Sequence, residues 1–126
     1  MKTFLLFILL CGSFLYWLKG WVRMDMDRFI REHKSATITP AIVRTVGDVY
    51  YHIFQQPETA SRYYQWFVEE YPRDSKVTGV YWDLGRAYED THKRDLALEQ
   101  FAVLKDTYPA TQEGQMALER YNRLRY

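Results

Sequence analysis

A pattern of aromatic and small residues occurs twice in this chain at a constant spacing. Residues 60–72 follow the pattern A-x3-Y-x2-F-x3-Y-P, and residues 97–109 follow A-x3-F-x2-L-x3-Y-P, so that each position moves by 37 residues. Tyr51 precedes Tyr88 by the same 37 residues. A constant shift over six positions predicts two copies of one supersecondary unit, each of which must bury its apolar face against the other.

The spacing of apolar residues after position 38 is helical throughout. Thr39 is predicted to cap the first helix, with Pro40 at its first position, and Pro57 opens the second. Ser75 is predicted to cap a third helix, and two further helices follow, the last beginning at about Gln112. Because no segment alternates with a period of two, the sequence predicts an all-α fold.

The second unit resembles the tetratricopeptide repeat family. Its residues match the family pattern with a tyrosine in place of the leading tryptophan: Tyr81-x2-Leu84-Gly85-x2-Tyr88, Ala97-x3-Phe101 and Pro109. The resemblance implies a short α-solenoid of two helical hairpins, at about 41–74 and 78–111, with a capping helix over 112–126. The 37-residue spacing and the Tyr-Pro ends are most similar to repeat proteins of the bacterial cell envelope.

The leading helix of the first unit departs from the family pattern. With a shift of 37 residues, Arg44, Gly47 and Asp48 stand where the second unit has tyrosine, leucine and glycine. The first unit is therefore expected to be degenerate in its leading helix and regular in its trailing helix.

The N-terminal segment is predicted to be a membrane anchor. Residues 4–18 carry no charge, and a helix over 4–22 would rise about 28 Å, close to the thickness of a bilayer core. Tyr16, Trp17 and Trp21 would lie at the interface. We expect a transmembrane helix over 1–23, a helical stalk or linker over 24–38 and the repeat domain over 39–126.

Lipoprotein processing and signal-peptide cleavage would each need particular residues in the N-terminal segment. A lipoprotein signal needs a small residue before the cysteine, but Leu10 precedes Cys11. Cleavage at residues 11–13 is the open alternative, although it would leave an apolar N-terminus on the mature chain.

Two features favour opposite orientations of the anchor. Residues 1–36 carry six Lys/Arg against three Asp/Glu, and most of these cations follow the apolar run, which favours a cytoplasmic repeat domain. The start MKTFLLFILL is similar to an export signal, and the cell-envelope resemblance favours the periplasm. We expect a single-pass protein of the bacterial inner membrane with a periplasmic repeat domain.

The sequence carries no recognisable catalytic or ligand-binding motif. A net charge of +1 without a basic cluster argues against nucleic acid. His33, His52 and His92 are isolated, so we expect neither a metal nor a cofactor. The acids of the third helix, at 83, 89 and 90, are interpreted as a solvated face, and no nucleophile stands beside a base. An enzyme with an aromatic-lined pocket is a remote alternative.

The family resemblance implies a protein-binding surface on the leading helices and no small-molecule substrate. We expect a non-catalytic accessory or scaffold subunit of a larger membrane complex, with a free-standing assembly factor or envelope organiser as the alternative. The positions that the resemblance assigns to partner binding are Ile42, Thr45, Val49, His52, Trp82, Arg86, Glu89, Glu119 and Arg123.

Overall fold

The chain is helical over the residues that the structure, a computed structural model, describes: 2–33 and 39–126, with the backbone alone at 21–25. These residues contain no β-strand, which confirms the prediction of an all-helical chain. The elements are α1 (Lys2–Glu32), α2 (Thr39–Asp48), a π-helical segment (Val49–Ile53), α3 (Pro57–Glu70), α4 (Val77–Asp90), α5 (Arg94–Thr107) and α6 (Gln112–Arg125).

Helix α1 belongs to a compact unit of its own, residues 1–39. Its 31 residues rise about 46 Å. Lys2–Gly20 is long and apolar enough to cross a membrane, and no side chain of this stretch is buried within the protein. Length and composition of this kind are shared by membrane anchors and signal sequences. The predicted stalk is helical to Glu32, whereas its residues 34–38 and the side chain of Trp21 lie outside the described structure.

Residues 40–126 form the second compact unit, in which helices pack on their neighbours in sequence. Helix α3 lies between the π-helical segment and α4, α5 lies between α4 and α6, and α4 also touches α6. The core is built from large side chains of α3, α4 and α5. Its largest fully buried members include Tyr64, Phe67, Leu84, Phe101 and Leu104.

Each of the two hairpins contains the same kind of close contact between its helices, a glycine of the first helix against an aromatic ring of the second. A Cβ atom added to Gly85 in α4 would lie 2.6 Å from the Phe101 ring, and one added to Gly47 in α2 would lie 2.7 Å from the Tyr64 ring. Both distances are too short for a real side chain, so each glycine lets an aromatic ring of the trailing helix rest on the leading helix.

These contacts correct the predicted register of the first leading helix. Tyr64 and Phe101 are 37 residues apart, as predicted, but Gly47 and Gly85 are 38 apart. Gly47 is therefore the counterpart of Gly85, not of Leu84. The spacing Gly47-x2-Tyr50 then matches Gly85-x2-Tyr88, so this helix is less degenerate than a shift of 37 predicts.

The π-helical segment accounts for the extra residue. The Tyr50 carbonyl accepts a hydrogen bond from the N–H of Gln56 at 2.8 Å, six residues on, whereas the Tyr88 carbonyl accepts from Lys93 at 2.8 Å, five residues on. Both turns then close in the same way, since Gln56 and Lys93 are the N-caps of the trailing helices. A π-helical turn commonly absorbs one inserted residue in this manner.

Helix starts agree with the predictions in part. Pro57 occupies the first turn of α3, as predicted. The predicted cap at Ser75 is wrong, because α4 is preceded by Lys76, whose N–H donates to Asp74 Oδ1 at 2.8 Å. Thr39 is the first residue of α2, and its hydroxyl donates to the carbonyl of His33. Differences of one residue at helix ends are common.

We expect Gly85→Ala to destabilise the protein. The added methyl would displace the buried Phe101 ring, and the free energy of unfolding should fall by about 1–3 kcal/mol. Gly79→Ala in the same helix is the matched control, because its Cβ meets nothing within 4 Å. That variant should gain up to about 1 kcal/mol from helix propensity. Tryptophan fluorescence during urea unfolding of the full chain measures both, and equal stability of the two variants would contradict the contact.

Candidate partner-binding surface

The leading helices of the repeat domain are α2 with its π-helical segment, α4 and α6. Side chains join them in sequence: the Tyr51 hydroxyl donates to the carboxylate of Asp90, and the Arg120 guanidinium of α6 holds Glu89 of α4. We call the surface over these three helices the leading-helix surface.

The residues predicted to bind a partner all lie on these helices, but they differ in exposure. Ile42, Val49, Trp82 and Glu89 are partly buried, and Thr45, His52, Arg86, Glu119 and Arg123 are exposed.

Several of these side chains already have partners. The Thr45 hydroxyl donates to the carbonyl of Ala41 at 2.7 Å, and Arg123 pairs with Glu119 at 2.9 Å, one turn away. An exposed pair at this spacing contributes only about 0.3–0.5 kcal/mol, so its charges can exchange this contact for another at little cost.

Trp82 is part of the packing of the second hairpin. Its ring centroid lies 5.3 Å from that of Phe101, with the two planes at 52°. Because Phe101 is the ring that rests on Gly85, a change at Trp82 would disturb the core as well as the surface. Arg86, one turn further along α4, is exposed and is the better probe of this surface.

Glu89 is held by a residue that the sequence prediction missed. Arg120 Nε donates to Glu89 Oε1 at 2.8 Å and Arg120 Nη2 donates to Glu89 Oε2 at 2.5 Å, a bidentate geometry. The Glu89 side chain is only 12% exposed, and this hydrogen bond raises the pKa of Arg120. Glu89 therefore fixes α6 to α4 and is not available as a free acid.

A shift of 38 residues changes which residues of the first unit correspond to those of α4. Arg44, Asp48 and Tyr51 become the counterparts of Trp82, Arg86 and Glu89, each one residue before the predicted position. The signal that could have found them is the glycine-to-tyrosine spacing, which is the same in both leading helices.

Ionisable side chains meet where the first two leading helices approach each other. The hydroxyl of the fully buried Tyr64 donates to Asp48 Oδ1 at 2.7 Å. Burial, together with this hydrogen bond, raises the pKa of Tyr64, which therefore stays protonated. Burial also raises the pKa of Tyr51 to about 12, with the hydrogen bond to Asp90 as the second cause. Both tyrosines act as hydrogen-bond donors here.

Asp83 is an acid of the first two leading helices whose pKa is shifted. We call Asp83 and the charged or ionisable groups that act on it, Asp48, His52, Arg44 and Arg86, the charged seam. Burial raises the pKa of Asp83 to about 6, and the neighbouring Asp48 carboxylate adds to the shift. His52, Arg44 and Arg86 act in the opposite direction. The interpretation of Asp83 as part of a solvated face is therefore wrong, since this carboxyl lies in a partly buried, charged seam.

The seam brings side chains of both charge signs close to Asp83. The Nε atom of Arg44 is buried, and it has no hydrogen-bond acceptor among the described residues. No group of three or more His, Cys, Asp and Glu side chains in the described ranges could hold a metal ion. A carboxyl that can take up a proton alters the charge that a partner would meet at this surface.

In comparisons with known proteins, no family model and no curated protein matches this chain. The resemblance to tetratricopeptide repeats therefore depends on the residues of the chain itself.

We expect Asp83→Asn to change the pH dependence of stability. The pKa of Asp83 is about 6 in the folded state against an ordinary value of 3.8, so its stabilising contribution is complete below pH 3.8 and is lost as the pH rises through 6. Asparagine cannot ionise. The variant should therefore match the wild type at low pH and be more stable above pH 7 by about 1 kcal/mol, allowing for solvent screening.

Urea unfolding of the full chain between pH 4 and pH 8 measures this difference. Glu99→Gln removes the same charge from an exposed position of α5 and serves as the control. A gain in the Asp83 variant that does not depend on pH would contradict the proposed cause.

Proposed function

We propose that this chain is a non-catalytic, membrane-anchored protein-interaction module, most simply an accessory subunit of a larger membrane complex. The observation that carries the proposal is the repetition of one hairpin contact, Gly47 with Tyr64 and Gly85 with Phe101. It supports an array of the tetratricopeptide type, in which successive leading helices present one surface to a protein partner.

The chemistry of the leading-helix surface supports a protein partner. Thr45, His52, Arg86 and Arg123 are exposed on the leading helices, and α4 also carries the partly buried Trp82. An aromatic anchor within a polar and charged surround is typical of protein interfaces, where aromatic residues and arginine contribute most of the binding energy. Two hairpins and one further helix offer a small area, which suits packing against a larger neighbour better than enclosing a long peptide.

The N-terminal helix supports attachment to a membrane. Lys2–Gly20 has the length and composition of a span, and the helix continues to Glu32 with a charged surface in which Arg28 pairs with Glu32 at 2.9 Å. We propose that this segment is retained as an anchor. The bacterial inner membrane is the proposed location, with the repeat domain on the periplasmic side.

We expect Arg86→Ala to weaken recovery of the partner. After mild detergent extraction of the tagged full chain, the variant should recover about tenfold less partner than the wild type, equivalent to about 1.4 kcal/mol. Arg73→Ala removes the same side chain from an exposed turn after α3 and should have no effect.

The outcome of the same extraction separates the candidate functions. Stoichiometric recovery with fixed partners supports the subunit, and substoichiometric recovery with immature complexes would favour an assembly factor. A monomer with no partner that turns over a substrate would contradict the proposal.

We also expect a C-terminal epitope to be accessible to trypsin in intact spheroplasts. The repeat domain exposes many Lys and Arg residues, among them Lys76, Arg94 and Arg125, so cleavage should remove the epitope before the membrane is opened. If the epitope survives until the membrane is disrupted, the domain faces the cytoplasm. Retention of the intact chain in the membrane fraction tests the anchor itself.

A further inference from the structure

A cleft of about 320 Å³ lies within the unit formed by residues 40–126, and none of the predicted binding residues lines it. One wall is a face of α3, the first trailing helix, and the opposite wall is formed by the turn before α5 and by Leu96. Tyr88 of α4 also lines the cleft, and its hydroxyl donates to Gln65 Oε1 at 3.1 Å. The cleft belongs to the trailing helices, and the function proposed above does not use it.

The α3 wall of this cleft carries opposite charges one heptad apart. Arg62 and Glu69 are both exposed, and Trp66 lies between them on the same face of the helix. Neither charge forms an ion pair within 4.0 Å in the described ranges, since Glu69 only accepts a hydrogen bond from Gln65 at 2.6 Å. Seven residues of helix place the two charges about 10 Å apart along the axis.

The order of the two charges along α3 is self-complementary. A second α3 helix that runs in the opposite direction places an acid opposite each base. In an antiparallel pair of α3 helices related by a twofold axis near Trp66, Arg62 of each copy faces Glu69 of the other. One twofold axis therefore generates two ion pairs from a single pair of side chains, which is the property of an isologous interface. A parallel copy would instead place like charges opposite each other.

Trp66, Tyr88 and Leu96 give the cleft an aromatic and aliphatic part beside the polar Ser61 and Gln65. Trp66 is partly exposed, with its ring stacked on that of Tyr63 at 6.5 Å and 22°, and Leu96 is 38% exposed. Tyr88 is almost fully buried beneath them. Aromatic and aliphatic side chains next to charged ones are common in protein interfaces.

We propose that the α3 cleft is a homodimer interface, and that its occupant is the α3 helix of a second copy of this chain, packed antiparallel across Trp66. The charge pattern identifies the occupant, because a partner must carry an acid and a base in the reverse order at the same spacing, and the antiparallel copy supplies both. The inference is independent of the partner proposed for the leading-helix surface.

Charge reversal with rescue tests the dimer directly. Arg62→Glu places two acids opposite each other at both ends of the interface, and Glu69→Arg places two bases there. Each single variant should raise the dissociation constant of the dimer by about tenfold or more, measured by sedimentation equilibrium of the full chain in detergent. The double variant R62E/E69R restores opposite charges and should dimerise within about threefold of the wild type.

A mixture of the two single variants gives a second, independent result. Arg62→Glu and Glu69→Arg should form a heterodimer with each other more tightly than either forms with itself, since both ion pairs then have opposite charges. Arg86→Glu makes the same charge change on the leading-helix surface and should leave the dimer intact. Circular dichroism of each variant confirms that the helices are retained.

Three results would overturn the proposal. They are a monomeric wild-type chain at concentrations up to about 100 µM, single variants that dimerise as well as the wild type, and a double variant that is not rescued. A dimer that forms through the N-terminal helix or through another face gives the second result. Partner recovery in the extraction experiment tests the proposed function separately, because Arg62 and Glu69 belong to α3 and lie outside the leading-helix surface.

Discussion

The repeat domain depends on the close approach of paired helices at two glycines. Where Gly47 and Gly85 lack a side chain, the rings of Tyr64 and Phe101 rest directly on the leading helices. Each hairpin is closed by this contact, and large rings are buried that a wider helix separation would leave in water. The two proposed binding surfaces belong to different helices of the hairpins: the leading helices form one, and α3 with the turn before α5 lines the cleft that forms the other.

One extra residue in the first hairpin changes the chemistry of the leading-helix surface. The π-helical segment Val49–Ile53 lets the first leading helix keep its glycine contact while the turn after it keeps its geometry. Arg44, Asp48 and Tyr51 consequently stand where a regular register would place neutral residues or histidine. The surface therefore gains a charged seam around Asp83, in which burial raises the pKa to about 6. Insertions of this kind are frequent at functional sites.

Much of the helical framework could be predicted from the sequence. The 37-residue shift located both trailing helices, and the start of α3 at Pro57 follows from local chemistry. The register of the first leading helix was wrong, because a constant shift cannot reveal an insertion that lies inside a helix. The burial of Asp83 and the pairing of Arg120 with Glu89 could not be predicted, since both depend on which helices become neighbours. The positions assigned to partner binding stay predictions.

The equivalence of the two glycine contacts is the central structural claim, and nuclear Overhauser effects between glycine and ring protons test it most directly. In the full chain in detergent micelles, the Hα protons of Gly47 should show effects to the Tyr64 ring, and those of Gly85 to the Phe101 ring, with both pairs of Hα shifts displaced by the ring currents. If the Tyr64 ring instead shows effects to Asp48 Hα and none to Gly47, the first hairpin keeps the 37-residue register and the account is wrong.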